Sequence, residues 1–229
     1  MTSDGTKKFL IDFSEKDLIV KFKKTGVYWL TPSGVEDTKA LISLSRKVLS
    51  GGACMVQYRQ KNLNLPQRRH QALQLKKVCA AHKVPLIIND SIELALSVDA
   101  DGVHIGKSDS SLKTARDNLG EHKIIGVSCY NDIDRAKDML DNGADYVAFG
   151  RFYASITKPK AAMCSPDVLK AAREIFSTAI VAIGGINLDN ASTLIRNGAT
   201  HIAIVDTISK AECPYIATKR LSGLFNKIL

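Results

Sequence analysis

Several features are missing from this 229-residue chain, and each absence argues against a class of function. No apolar run is long enough to cross a bilayer, and the opening Met1-Thr2-Ser3-Asp4-Gly5-Thr6-Lys7-Lys8 lacks the apolar segment of a secretory signal. The five cysteines, Cys54, Cys79, Cys129, Cys164 and Cys213, are odd in number and far apart, with no Cys-x-x-Cys and no neighbouring His at metal spacing. They read as reduced thiols, so a cytoplasmic protein without a membrane partner is expected. A net charge of +9 would suit nucleic acid, but no RNA-binding aromatic motif, zinc finger or long basic arm accompanies it. The basic pairs Lys7-Lys8, Lys23-Lys24, Arg68-Arg69 and Lys76-Lys77 are scattered and read as solvated helix faces. Small polyanionic substrates are the expected partners, with no nucleic acid, and self-association is left open.

What the chain does have is a regular alternation. Hydrophobic residues make up 45% of it, enough for a full core, and no break in composition divides it. Short β-rich runs at residues 27–31, 53–59, 85–89, 102–105, 124–128, 146–149, 179–183 and 201–205 predict eight strands. Between them lie segments with helical spacing, often closed by Gly, as at Gly143 and Gly198. Eight such units fit a (β/α)8 TIM barrel, the expected fold, ahead of a doubly wound open sheet. An echo supports the barrel: Ala100-Asp101-Gly102-Val103, Ala144-Asp145-Tyr146-Val147 and Ala199-Thr200-His201-Ile202 open strands four, six and eight alike. The barrel is expected over residues 27–229. Residues 1–26 form an N-terminal extension, too apolar at Phe9, Leu10, Ile11 and Phe13 for a free tail.

Polar residues gather where these strands should end. Gln57, Arg59 and Lys61 alternate at the end of the second run, and period two would send them to one face. Asn89-Asp90 closes the third run, Asp109 follows the fourth, and Ser128 ends the fifth. Ser155, Thr157 and Lys158 follow the sixth, Gly184-Gly185 the seventh, and Asp206-Thr207 the eighth. In a barrel, ligand chemistry sits at these C-terminal ends. Cations beside carboxylates suggest an anion held with a metal; solvated charges on an edge strand are the bland alternative.

Six blocks, Gln57-x-Arg59-x-Lys61, Asn89-Asp90, Gly102-Val103-His104-x-Gly106-x-x-Asp109, Gly126-Val127-Ser128, Thr157-Lys158-Pro159 and Ala182-Ile183-Gly184-Gly185-Ile186, together resemble the thiamine phosphate synthase family, from Tyr28 to Ala211. The resemblance implies a transferase that joins a hydroxymethylpyrimidine diphosphate to a thiazole phosphate with Mg2+, releasing diphosphate. Asp90 and Asp109 then look like Mg2+ ligands, with helix capping the alternative for each. Gln57, Arg59, Lys61 and Asn89 resemble the pyrimidine diphosphate site, and Lys158 a diphosphate contact. Ser128 is not set in a nucleophile elbow, so it is expected to hydrogen-bond substrate; His104 is assigned to structure. Ser155, Thr157, Gly185 and the backbone at Val205 and Asp206 resemble the thiazole phosphate site, although paired glycines also suit a tight turn. Asp206 departs from the family's usual small hydroxyl residue, and its carboxylate is expected to point away from the phosphate. The rivals are a thiazole tautomerase-like barrel, which would have His near Tyr130, and a non-catalytic phosphate-ligand-binding protein.

Overall fold

In the computed structural model, which describes residues 24–154 and 163–228, eight parallel strands close into a barrel in chain order. The strands are β1 Gly26–Leu30, β2 Met55–Tyr58, β3 Leu86–Asn89, β4 Gly102–Ile105, β5 Ile124–Tyr130, β6 Tyr146–Gly150, β7 Ala179–Ile183 and β8 His201–Ile204. Between and after them run α1 Thr38–Ser50, α2 Leu65–Ala81, α3 Ile92–Ser97, α4 Leu112–Leu119, α5 Ile133–Asp141, α6 Asp167–Ile175, α7 Ala191–Arg196, α8 Asp206–Ser209 and α9 Pro214–Ile228. Residues Ser155, Thr157 and Lys158 lie outside the described residues, as does most of the expected 1–26 extension. β1 begins at Gly26, one residue inside that extension. No helix among the described residues is long and apolar enough to cross a membrane.

Strand alternation splits the core into two layers. Val27 and Trp29 of β1 face the helices, whereas Tyr28 and Leu30 join Met55, Ile87, Ile124, Tyr146, Val181 and Ala203 inside the barrel. Burial on both faces explains why the strands read as continuous apolar runs. Five strand ends differ from expectation, those of β1 and β6 by one residue each. β2 stops at Tyr58, because Gln60 turns the chain: its amide donates to the Val35 carbonyl at 3.2 Å and its carbonyl accepts from the Asn62 N–H at 3.0 Å. β5 runs on to Tyr130 through a register shift between Ser128 and Tyr130. β8 stops at Ile204, since Val205 caps the short α8.

The echo before strands four, six and eight has a physical cause at the opposite rim from the strand ends. The Asp101 carboxylate accepts from the Leu86 N–H of β3 at 2.8 Å and pairs with Lys76 of α2 at 2.7 Å. Asp145 accepts from the Ile125 N–H of β5 at 2.7 Å and pairs with Arg116 of α4 at 2.8 Å. Thr200 does the same for β7, accepting from the Ile180 N–H at 2.8 Å. Each side chain thus fastens the preceding strand to its own. The Arg116 guanidinium also donates to the carbonyls of Gly120, Lys123 and Gly143, tying two loops to this clamp.

Two predictions concern this rim. Asp145→Ala strands the Ile125 N–H and a partly buried guanidinium, and should cost about 2–3 kcal/mol in denaturant unfolding. His201, at the start of β8, is buried, and burial pushes its pKa down to about 4. The unfolded imidazole protonates near its ordinary value of 6.5, so between these values the unfolded state binds more protons and stability falls as pH falls. That loss, on the order of 3 kcal/mol when complete, should be smaller in His201→Gln when unfolding is followed from pH 7 to pH ~4.

Candidate active site

The ends of β3 and β4 bring two carboxylates together. Asp90 sits in the left-handed region at φ 64°, which Asp tolerates better than most residues, and its N–H donates to the His104 carbonyl of β4 at 2.9 Å. Neither acid caps a helix: Ser91 caps α3, accepting from the Leu94 N–H, and Ser111 caps α4, accepting from the Thr114 N–H. Asp109 instead folds back to accept from the Gly106 N–H at 2.6 Å, and its carboxyl hydrogen-bonds that of Asp90. Burial first, then the Asp109 carboxyl, holds the Asp90 pKa above the usual carboxylate range, while Lys61 and the Asn89 side chain pull it down.

The neighbouring carboxyl adds to the cost of ionising Asp90, and a cation held between the two would relieve it. The donor set fits Mg2+, which takes one or two carboxylates and completes its shell with water and substrate phosphate. No cluster of three or more potential His, Cys, Asp or Glu ligands occurs among the described residues, so further oxygens would have to come from elsewhere.

The three polar residues at the end of β2 have different surroundings. Gln57 lies inside the barrel at 3% exposure, and its Nε2 donates to the Tyr28 hydroxyl at 2.8 Å. Arg59 and Lys61 fall beyond the strand, so alternation no longer governs them. Arg59 is half-buried, and its Nη1 donates to Ser33 Oγ at 2.6 Å. Its N–H donates to Thr31 Oγ1 at 2.8 Å, and the Thr31 hydroxyl donates to its carbonyl at 3.2 Å, which locks the ends of β1 and β2 together. Lys61 is exposed but close enough to act on Asp90.

Ser128 and His104 belong to a second group. His104 Nε2 is 2.9 Å from Ser128 Oγ, and His104 Nδ1 is 2.9 Å from the Tyr146 hydroxyl. The Tyr146 hydroxyl meets that of Tyr28 at 2.9 Å, which in turn meets Gln57. A polar chain therefore crosses the lumen from β2 to β5. The Tyr146 ring lies so close to Gly126 that a Cβ there would be 1.8 Å from Tyr146 Cζ. Sequence reasoning missed Tyr28, Tyr146 and Ser33; the signal for the tyrosines was the polar His104 in an otherwise apolar run.

At the ends of β7 and β8, Gly184 and Gly185 take φ 107° and 65°. They also admit the chain after β6: a Cβ on Gly184 would lie 2.3 Å from Arg151 Cβ, and one on Gly185 2.4 Å from the Ala154 carbonyl oxygen. Tight turning and close approach are both required of the pair. The Asp206 carboxylate lies 3.2 Å from Lys210 Nζ, along its own helix. Thr207 ties β8 to β7 by donating to the Ile186 carbonyl at 2.7 Å. Tyr130 stands at φ 59°, its hydroxyl accepting from the Lys107 N–H at 3.4 Å. An open groove of about 540 Å³ against Glu36, Lys39, His70 and Gln74 contains none of these residues.

Comparison with known proteins bears on the family and the fold. The family model described as thiamine monophosphate synthase matches residues 27–208. A thiamine-phosphate synthase of Nitrosospira multiformis is 45% identical over 203 residues, spanning 89% of this chain and 86% of its own. That of Nitrosomonas eutropha is 43% identical over 205 residues, spanning 90% of this chain and 96% of its own. Among solved structures, the thiamine phosphate pyrophosphorylase from Pyrococcus furiosus superposes with a TM-score of 0.81 at 28% identity, covering 90% of this chain and 97% of that one. The (S)-3-O-geranylgeranylglyceryl phosphate synthase from Thermoplasma acidophilum, at TM-score 0.69 and 13% identity over 93% of this chain and 98% of its own, shares the fold alone.

The acid pair generates a prediction that does not depend on turnover. Because the Asp90 pKa is raised in the folded protein, ionisation above that pKa costs stability without a cation, and protonation below it relieves the cost. Asp90→Asn should therefore raise Tm in chelator, by a few degrees. Millimolar Mg2+ should raise the wild-type Tm and leave the variant unmoved; equal Mg2+ responses would show that the ion does not sit at this pair.

Proposed function

The chain belongs to the thiamine monophosphate synthase family, and from that premise we propose how its own residues divide the work. It is an enzyme of thiamine biosynthesis, a transferase that joins a hydroxymethylpyrimidine diphosphate to a thiazole phosphate, giving thiamine phosphate and diphosphate. The tautomerase-like and non-catalytic readings are not favoured, since relatives at 43–45% identity carry the synthase name. The observation that carries the assignment of the site is the Asp90–Asp109 pair with Lys61 and Asn89 beside it.

In this reading Asp90 and Asp109 hold Mg2+, which when bound would offset charge on the departing diphosphate. Arg59, oriented by Ser33, presents its remaining N–H groups to phosphate oxygens, and Lys61 and Lys158 add point charges. Gln57 and Asn89 read the edge of the pyrimidine, and Ser128 hydrogen-bonds the substrate. Ser155, Thr157, Gly185 and the backbone of Val205 and Asp206 receive the thiazole phosphate. The pairing of Asp206 with Lys210 supports a role for the Asp206 N–H alone, because the carboxylate is partly neutralised and drawn along its own helix.

The reaction is a substitution at the pyrimidine methylene carbon. The carbon–oxygen bond breaks with its electron pair leaving on diphosphate, and the thiazole nitrogen supplies the pair for the new carbon–nitrogen bond. The electron-rich aminopyrimidine spreads the positive charge in between. Such a step asks the protein for charge stabilisation and positioning, with no covalent enzyme intermediate. A cytoplasmic setting is part of the proposal and is supported by the free cysteines, which suit a reducing compartment. Self-association through an outer helical face is compatible with it, since the proposed site residues among those described lie at or near the barrel's C-terminal rim.

Diphosphate release by the purified protein, with thiamine phosphate identified by mass, should require both substrates and Mg2+ together. Arg59→Ala should slow it at saturating Mg2+ by about 100-fold or more. Near-normal turnover in that variant would remove Arg59 from the site.

A further inference from the structure

We infer that Ser33, in the loop between β1 and α1, is a further diphosphate-binding residue, whose hydroxyl accepts from Arg59 and donates its own proton to an oxygen of the leaving group. The inference rests on the reading of Arg59 as a diphosphate contact. It extends that site onto the end of β1, the strand to which the proposed site assigns no residue.

Counting protons fixes the role of the hydroxyl. A guanidinium has donors alone, so at 2.6 Å from Arg59 Nη1 the Ser33 oxygen must accept. The proton of the hydroxyl is left over, and among the described residues Ser33 donates it to no protein group. Accepting from a cation also polarises the O–H bond toward donation. The residue is half-buried at the rim, so this proton meets solvent or a bound ligand. A guanidinium and an O–H donor side by side suit a ligand that carries acceptors alone, and diphosphate is such a ligand.

The loop around Ser33 is fastened on both sides. Before it, the Thr31 N–H donates to the Gln57 carbonyl at 2.9 Å, and the Thr31 hydroxyl bonds both the N–H and the carbonyl of Arg59. After it, the Gln60 amide donates to the Val35 carbonyl at 3.2 Å, and Gln71 of α2 donates to the carbonyls of Val35 and Glu36 at 3.3 and 3.2 Å. The Tyr58 hydroxyl sets that orientation of Gln71 by donating to its oxygen at 2.9 Å. Thr31, Gln60 and Gln71 are all buried. Three buried polar side chains thus hold the loop, and what it presents to Arg59 is the Ser33 hydroxyl. Donors fixed in this way need no reorganisation as charge develops on a leaving group. The helix end beside the loop is already closed, since the Asp37 carboxylate accepts from the Lys39 and Ala40 N–H groups of α1 at 3.0 and 3.2 Å.

Two phosphate-bearing substrates meet at this rim in the proposed reaction, and β1 stands between their sites, paired with β2 on one side and β8 on the other. The contact with Arg59 decides for diphosphate. From Ser33 the polar groups continue through Arg59 and Lys61 to Asp90, whereas on the β8 side Asp206 and Lys210 pair with each other.

Magnesium diphosphate, the released product, is the probe, titrated calorimetrically into the protein. Ser33→Ala should weaken its binding about tenfold, and Ser33→Thr, which keeps the hydroxyl, should restore most of it. Affinity for the thiazole phosphate should stay as it is; a loss there with diphosphate binding intact would overturn the assignment to the leaving group. In an Arg59→Lys background, which keeps a cation without the fork, Ser33→Ala should again cost about tenfold. No further loss in that background would mean that Ser33 acts only by orienting Arg59, and direct contact would be overturned. Wild-type protein that binds no magnesium diphosphate would remove the reading of Arg59 itself. Equal affinity in wild type and Ser33→Ala would overturn the Ser33 contact and leave that reading standing.

Discussion

Pairing of β1 with β8 is the constraint on which the rest of the molecule depends. Tyr28 stands opposite Ala203 and Trp29 opposite Ile204, so no strand keeps a free edge and the sheet becomes a closed wall. All strands run the same way, and closure therefore gathers their C-terminal ends on a single rim. Residues as distant in sequence as Arg59 and Asp206 share that rim for this reason alone. Parallel pairing also fixes the cost: both faces of each strand must be buried, one by helices and one by the lumen, and polar side chains inside the lumen must satisfy one another.

Lumen side chains show how that requirement is met. Tyr28, Gln57, His104 and Tyr146 are all buried, and each has a polar partner within 2.9 Å. Around them the lumen filling is aliphatic, with Met55 and Ala203 in register with Tyr28 and Ile87 in register with Gln57. Ser128, at the bulged end of β5, is the half-buried end of this polar group, since its oxygen meets His104.

Much of the fold was legible because its signals are local. Eight runs of apolar residues mark eight strands, and the small-polar-apolar echo proves to be a set of clamps in which Asp101, Asp145 and Thr200 hold the strand before them. Carboxylates beside cations at the strand ends hinted at a metal, and the resemblance singled out Asp90 and Asp109 as the pair. Spacing alone left Asp90 and Asp109 as helix caps, and that alternative fell because Ser91 and Ser111, one and two residues further on, take the caps instead. For Gln57, Arg59 and Lys61, strand periodicity reaches only Gln57, because β2 ends at Tyr58. The polar chain across the lumen was invisible because its side chains come from five strands, and Tyr28 and Tyr146 read in sequence as ordinary core aromatics. Ser33 was equally silent, a lone hydroxyl in a loop until Arg59 is seen to reach it.

The clamps and the acid pair lie at opposite ends of the same strands. Asp101 opens β4 and Asp109 follows its far end; Asp145 opens β6, whose far end leads into the chain after Gly150. Strength is thus invested at one pole of the barrel and chemistry at the other. A change at the reactive pole leaves the Asp101, Asp145 and Thr200 clamps untouched, so loops there can vary while these fastenings hold. The separation gives the scaffold evolvability: new ligands can be tried on one rim while the other keeps the chain folded.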